Sequence, residues 1–555
     1  MRRGYTIGLV LLFLGWWLSS VDAATYYVRP DGGTAAQCTG QADAPYPGTG
    51  VRQACAWAHP FWALDRSGNW KIHGGDTLIL APGNYRMGFG APNTRWCSRD
   101  YPWDCHLPPL PSGPAPDQPT RILGDGWDRG CVKKPRLWGT QRALQVLDLT
   151  DTSNAVIECL EITDRSGCAL DHCKASVRCP RNDYPFGNYA DLGLYAEDSS
   201  NVVLRNLDIH GMAWGGIRAG RIKDWLVEDV RLAGNGGVGW DGDIGRRSSN
   251  RGTLTFRRMT VEWNGCPESY PGRVPKNCWG QETCGGYGDG MGLARSGGHW
   301  VVEDSVFRYN VSDGLDLLYV GVDYPKSLIE LRRSMAYGNG GNQFKIGGDS
   351  TVVNCLAVGN CGFFYGKSYA RKMGPVDSGD HCRAGGGAVA VFLGRGDTAS
   401  IVNSTIAGQG WALLDAACIT KDFPDQPSCN GTESLTLMNN VFQGYQVFYL
   451  DYKRLTDFVG DGDPDNFTSS ARVDYNIIHK AEVSSPTGPN NLFENPRLEN
   501  GAIHVFDGHL RSGSPARDSG LPVGSVSGLV PGEDIERNAR PVGNGVDRGA
   551  YEYGN

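Results

Sequence analysis

The stretch GHWVVEDSVFRYNVSDGLDLLYVG (298–321) decides the fold, and SLIELRRSMAYGNGGNQFKIGG (327–348) repeats its plan. Each opens with a short run rich in Val, Ile and Leu, turns at a polar residue, and resumes in a Gly-rich second run. The runs alternate in the manner of strands, with no helical apolar stripe. Working outward, the same plan recurs with a period near 23 residues in SSNVVLRNLDIHGMAWGGIRAG (199–220), IKDWLVEDVRLAGNGGVGWDGDIG (222–245) and STVVNCLAVGNCGFFYGKS (350–368). A weaker copy is TLTFRRMTVEWNGC (253–266). A unit this short cannot bury its own apolar face and must stack on its neighbours. The repeats therefore predict an all-β chain folded as a right-handed parallel β-helix. An Asn at the turn of successive copies (Asn235, Asn264, Asn310, Asn339, Asn360) reads as a ladder running from coil to coil. His210 reads as a substitute in that ladder.

Composition agrees with this reading. Of 555 residues 78 are Gly, about twice average usage, dispersed without a three-residue period, which excludes collagen and implies many tight turns. The hydrophobic share of 40% and aromatic share of 10% exclude a disordered chain. A net charge of −7 gives no footprint for nucleic acid. Arg2 and Arg3, the apolar run from Ile7 to Leu18, and the small residues around Ala23 read as an export signal. Its removal leaves 51 basic against 59 acidic residues, a net of −8. No later run is apolar enough to span a membrane, so the expectation is a secreted monomer, extracellular, periplasmic or attached to a cell surface.

We divide the chain into a signal peptide (1–23), an N-terminal cap with the first coils (24–150), the β-helix repeats (151–480) and a C-terminal segment (481–555). All 17 Cys follow the signal, as suits an oxidising compartment, and their local groups read as disulfides pinning loop insertions. The odd count leaves at least one thiol over. A zinc site at Cys168, His172, Cys173 and Cys179 is the weaker alternative, because the spacing is irregular.

Alignment of the coils on their turn Asn exposes a candidate site. Position +3 is Asp313 after Asn310, and position +6 is Asp316, Lys345 and Asp241 after Asn310, Asn339 and Asn235. The segment GYGDGMGLA (286–294) aligns its Asp289 with Asp313. Stacked coils lie about 4.8 Å apart, so Asp289, Asp313 and Asp316 converge on one face with Lys345 one coil on and Asp241 nearby. Three carboxylates this close resist joint ionisation unless a cation is present, and an oxygen-only set suits Ca2+. Lys367 and Arg371, with Lys372, follow in a loop as accessory cations for an acidic ligand. Trp240, Tyr287, Tyr319, Tyr324 and Phe344 are candidates for holding sugar rings.

Here the sequence resembles a known family. SDGLDLLYVG followed by MAYGNGGNQFKIGG looks like the metal-binding coil and the lysine-bearing coil of family 9 polysaccharide lyases, secreted pectate lyase-like enzymes with a parallel β-helix. The resemblance implies a Ca2+ site at Asp289, Asp313 and Asp316, Lys345 as the base, and an acidic polysaccharide as the partner. One position departs: the family's further acidic ligand beside the first Asp of the DGxD motif is Ser312 here, which thins the implied ligand set. The opening TYYVRPDGG (25–33) resembles that of secreted β-helix proteins, and the C-terminal DIERNARPVGNGVDRGAYEY (534–553) resembles the module called choice-of-anchor Q. The reading is thus a Ca2+-dependent lyase. The alternatives are a glycoside hydrolase on the same fold, using Asp241 with Asp316, and a non-catalytic glycan-binding surface protein.

Overall fold

The computed structural model describes residues 23–164, 189–242, 244, 250–269, 274–275, 278, 288–293, 295–321, 327–370, 382–394, 396–418, 429–450, 453–460 and 471–554. Their strands form three long parallel sheets of thirteen, twelve and ten strands. One coil crosses all three. His299–Glu303 lies in the first sheet, Val306–Arg308 in the second and Leu315–Leu317 in the third. The next coil stacks on it in register, pairing Trp300 with Ile329, Phe307 with Ala336 and Leu315 with Phe344. These six side chains have no exposed surface. Each short strand thus buries one face inside the coil, and the stack makes the continuous core that no single repeat could. The architecture is the expected right-handed parallel β-helix.

The corners explain the polar residues between strands. The first corner carries a left-handed residue in coil after coil, with φ between 47° and 55° at Asp229, Arg258, Asp304, Arg333, Asn354 and Asn403. Just inside it, buried side chains cap the backbone of the preceding coil: Met259 N donates to Ser305 Oγ at 3.1 Å, and Ser404 N to Asn440 Oδ1 at 2.9 Å. At the second corner the amides form a ladder. Asn235 Nδ2 donates to Asn264 Oδ1, Asn264 to Asn310 and Asn310 to Asn339, each at 2.9 Å, and Gln343 Oε1 closes the run. All four Asn are fully buried and their amides are paired along the helix axis.

Two turn assignments change. Asn360 leaves this ladder; its amide meets Gln409 Nε2 and His504 instead. His210 precedes the ladder position, which in its coil is Met212, whose N–H donates to Asn235 Oδ1. Its ring points outward between Glu161 and Glu268, where burial opposes its charge but the two carboxylates hold its pKa above the ordinary value.

Among the described residues six disulfides join Cys38–Cys55, Cys97–Cys105, Cys131–Cys159, Cys266–Cys278, Cys361–Cys382 and Cys418–Cys429. Most close a loop insertion within one of the local Cys groups. Cys355 is a buried free thiol at the first corner, where its Sγ contacts the Val353 carbonyl at 3.4 Å. The suggested zinc ligands and the export signal lie outside the described residues. Among those described, no helix is long and apolar enough to cross a membrane. Beyond the last coil a hairpin, Leu498–Asn500 with Asp507–Leu510, leads into a segment that folds back on the first corner. There Glu533 meets Arg333 at 2.9 Å and Arg537 meets Asp304 at 2.6 Å.

Replacing Asn310 with Ala should leave neighbouring buried amides unsatisfied and cost about 2–3 kcal/mol. Chemical denaturation measures this; a loss below about 0.5 kcal/mol would show that the ladder is not a structural tie.

Candidate functional site

The third sheet brings the predicted residues together. Its register aligns Asp241 with Gly292, Gly292 with Asp316, and Asp316 with Lys345. Asp289 and Asp313 stand three residues before Gly292 and Asp316, at the turn into the sheet. One ligand oxygen from each of Asp289, Asp313 and Asp316 lies within 4.8 Å of the others. Lys345 Nζ lies 3.2 Å from Asp313 Oδ2 and 2.9 Å from Asp316 Oδ2.

The backbone fixes each carboxylate by one oxygen. Asp289 Oδ1 accepts from Asp313 N at 3.0 Å, Asp313 Oδ1 from Asn342 N at 2.7 Å, and Asp316 Oδ1 from Leu318 N at 3.0 Å. Asn342 is itself anchored by Nδ2 to the Gly387 carbonyl at 2.7 Å. Two glycines make room. A Cβ at Gly341 would come within 2.2 Å of Asp313 Oδ1, and one at Gly292 within 2.9 Å of Asp289 Oδ2. Three Oδ1 atoms are thus tied to the scaffold, while the Oδ2 atoms of Asp313 and Asp316 face the lysine. The Ser312 hydroxyl, 1% exposed, sits beside the Asp289 carboxylate with no well-formed hydrogen bond.

The electrostatics are those of a crowded acid pocket. Burial, then Asp313 and Asp316, push Asp289 up to about 7. Burial also raises Asp316, although Lys345 opposes it. For Lys345 burial favours the neutral amine, yet Asp313, Asp316 and Asp289 outweigh it and hold the pKa well above the ordinary value. This differs from a lysine lowered by burial and a neighbouring cation: among the described residues its close charged partners are acids. With all groups ionised, three carboxylates face one ammonium and negative charge is left over. An oxygen-only donor set with excess negative charge fits a hard divalent cation.

Other candidates are placed elsewhere. Asp241 pairs with Arg218 at 3.1 Å and stands two coils from Asp316, outside the three-carboxylate group. Its partner Arg218 escaped the sequence reading, although position +3 of the Gly215–Gly220 strand holds it in the same column. Trp240 and Phe344 are fully buried inside the coil and cannot hold a sugar ring. Strand alternation requires this, since their neighbours Asp241 and Lys345 point outward. Lys367 is exposed with its Nζ 5.6 Å from the Phe363 ring centre. Arg371, Lys372, Tyr287 and Tyr324 lie outside the described residues.

No protein-family model matches the chain, and no curated protein does. Among solved structures, pectate lyase Pel9A is similar at a TM-score of 0.40 and 13% identity, covering 95% of this chain and 96% of that one. A rhamnogalacturonan lyase gives 0.39 and 12%, over 89% and 96%. An alginate lyase from Paenibacillus sp. str. FPU-7 gives 0.33 and 14%, over 67% and 89%.

The raised Asp289 pKa sets a pH dependence. A carboxyl that titrates higher folded than unfolded destabilises the fold once it ionises, so its penalty grows from about pH 4 to about pH 7. Lys345 stays protonated in both states across that range and adds no slope. In chelator, Asp289→Asn should therefore be more stable relative to wild type at pH 8 than at pH 5. Equal differences at the two pH values, by denaturant titration, would remove the crowding from the site.

Proposed function

We propose that the protein is a secreted enzyme that cleaves an acidic, uronate-containing polysaccharide by β-elimination, assisted by Ca2+. The observation that carries this is the Lys345 amine, held within 3.2 Å of Asp313 and Asp316 on the outward face of the third sheet, with Asp289 beside them. Asp289, Asp313 and Asp316 would hold the cation. When bound, it supplies positive charge that neutralises a uronate carboxylate and favours build-up of negative charge next to it.

Lys345 then has a definite task. As the neutral amine it takes the proton from C5 of the uronate; the C5–H electron pair forms the C4–C5 double bond, and the C4–O bond breaks with its pair going to the leaving oxygen, which takes a proton from water. The same carboxylates that orient Nζ also favour its protonated form. Activity therefore requires that their charge be offset and rises toward alkaline pH. The tether from Asp313 to Asn342 and Gly387 keeps the acid pocket fixed while the amine changes protonation. The acidic balance of the whole chain fits the same picture, because a polyanion approaches a net negative protein best through a bridging cation.

Incubation with pectate, alginate and other polyuronates, with Ca2+ or with chelator, followed by ultraviolet absorbance, tests the reading. A chelator-sensitive rise in absorbance, with an alkaline optimum and a loss of about 10²–10⁴-fold in Lys345→Ala, is expected. New reducing ends without absorbance would mean a hydrolase. Activity that peaks near pH 5 and ignores Lys345→Ala would refute the assignment of the base.

A further inference from the structure

The third sheet carries a second feature on the same two register columns as the carboxylates. One column runs through Leu192, Gly215 and Val238 and reaches Asp289, two residues ahead of the paired Trp240 and Met291. The other runs through Tyr195, Arg218, Asp241, Gly292, Asp316 and Lys345. Where these columns cross Ala190–Glu197 and Gly215–Gly220, an open cavity of about 430 Å³ forms. It is lined by Leu144, Gln145, Asp191, Tyr195, Trp214 and Arg218.

The lining has a definite chemistry. Trp214 is half-buried, and the Arg218 guanidinium carbon lies 5.4 Å from its ring centre. Arg218 Nε also faces Asp241 Oδ2 at 3.1 Å, which fixes the side chain along the column leading to the acid pocket. A guanidinium has five donors, enough to hold Asp241 and a second carboxylate together. Tyr195 is fixed in turn, its hydroxyl donating to Glu197 at 2.6 Å. Leu144 is 40% exposed at the rim. A flat aromatic face, an exposed aliphatic side chain and a positioned cation together match a sugar ring that bears a carboxylate. Asp241, the acid between this cavity and the cluster, is already paired, so an anionic chain can cross it.

We propose that this cavity is a distal glycosyl subsite. Trp214 stacks on one uronate ring of the polymer and Arg218 takes its carboxylate. Arg218 and Asp316 are three coil steps apart, roughly 14 Å. A single uronate unit cannot bridge that distance, whereas an oligosaccharide lying along the sheet can. The subsite therefore selects for chain length and fixes the direction in which the polymer extends from Lys345. It rests on the polyuronate reading above and adds residues that play no part in the elimination itself.

Calorimetric titration tests it, using di- and hexagalacturonate and di- and hexamannuronate with Ca2+, in a Lys345→Ala background that prevents turnover. Trp214→Leu and Arg218→Gln are compared with that background, and thermal melting checks that each variant is folded. The expected result is a fall of about tenfold in the ratio of hexamer to dimer affinity in both variants. An unchanged ratio, whether because hexamer binding survives or because both lengths weaken equally, overturns the subsite while leaving the polyuronate reading intact. Failure of the background protein to bind either length of either sugar would instead overturn the polyuronate reading, and the subsite with it.

Discussion

Everything in this molecule depends on coil-to-coil register. Parallel strands exchange hydrogen bonds only with the coils before and after them, so each side chain inherits a fixed place in a column. Hydrogen bonding alone would tolerate slippage by one residue. Two features prevent it. Trp300, Phe307, Leu315 and their counterparts fill the interior, so a one-residue shift would turn that face outward. The Asn ladder from Asn235 to Asn339 then binds successive corners through paired, fully buried amides.

That register makes a site out of residues far apart in sequence. Asp289, Asp316 and Lys345 come from three successive coils, yet their place in the columns sets them within reach of one another. Backbone amides of the next coil hold two of the three carboxylates, Asp289 through Asp313 N and Asp313 through Asn342 N. Chemistry and architecture thus share the same hydrogen bonds. The cost is electrostatic. Burial, with Asp313 and Asp316 close by, raises the pKa of Asp289 to about 7, which is unfavourable for folding and useful only if a cation or substrate relieves it.

Much of this was legible in the sequence, and the reasons are physical. Register follows from the repeat, so counting from the turn Asn located Asp316 opposite Lys345 and Asp289 beside Asp313 without coordinates. Counting also contained the correction for Trp240 and Phe344: residues adjacent to outward-facing Asp241 and Lys345 must point inward. Asn360 and His210 were misread because composition at a corner does not reveal which residue faces the neighbouring coil. The protonation balance of Lys345 was not legible at all. It depends on three acids outweighing burial, and only distances decide that.

Diffraction from crystals soaked in Ca2+ at pH 8 examines the acid pocket most directly. We expect an ion bound by Asp289, Asp313 and Asp316 at about 2.3–2.6 Å, with Lys345 no longer bridging two carboxylates. A pocket without an ion at saturating Ca2+, with Lys345 still between Asp313 and Asp316, would identify the cluster as a buried structural ion pair and withdraw the catalytic reading.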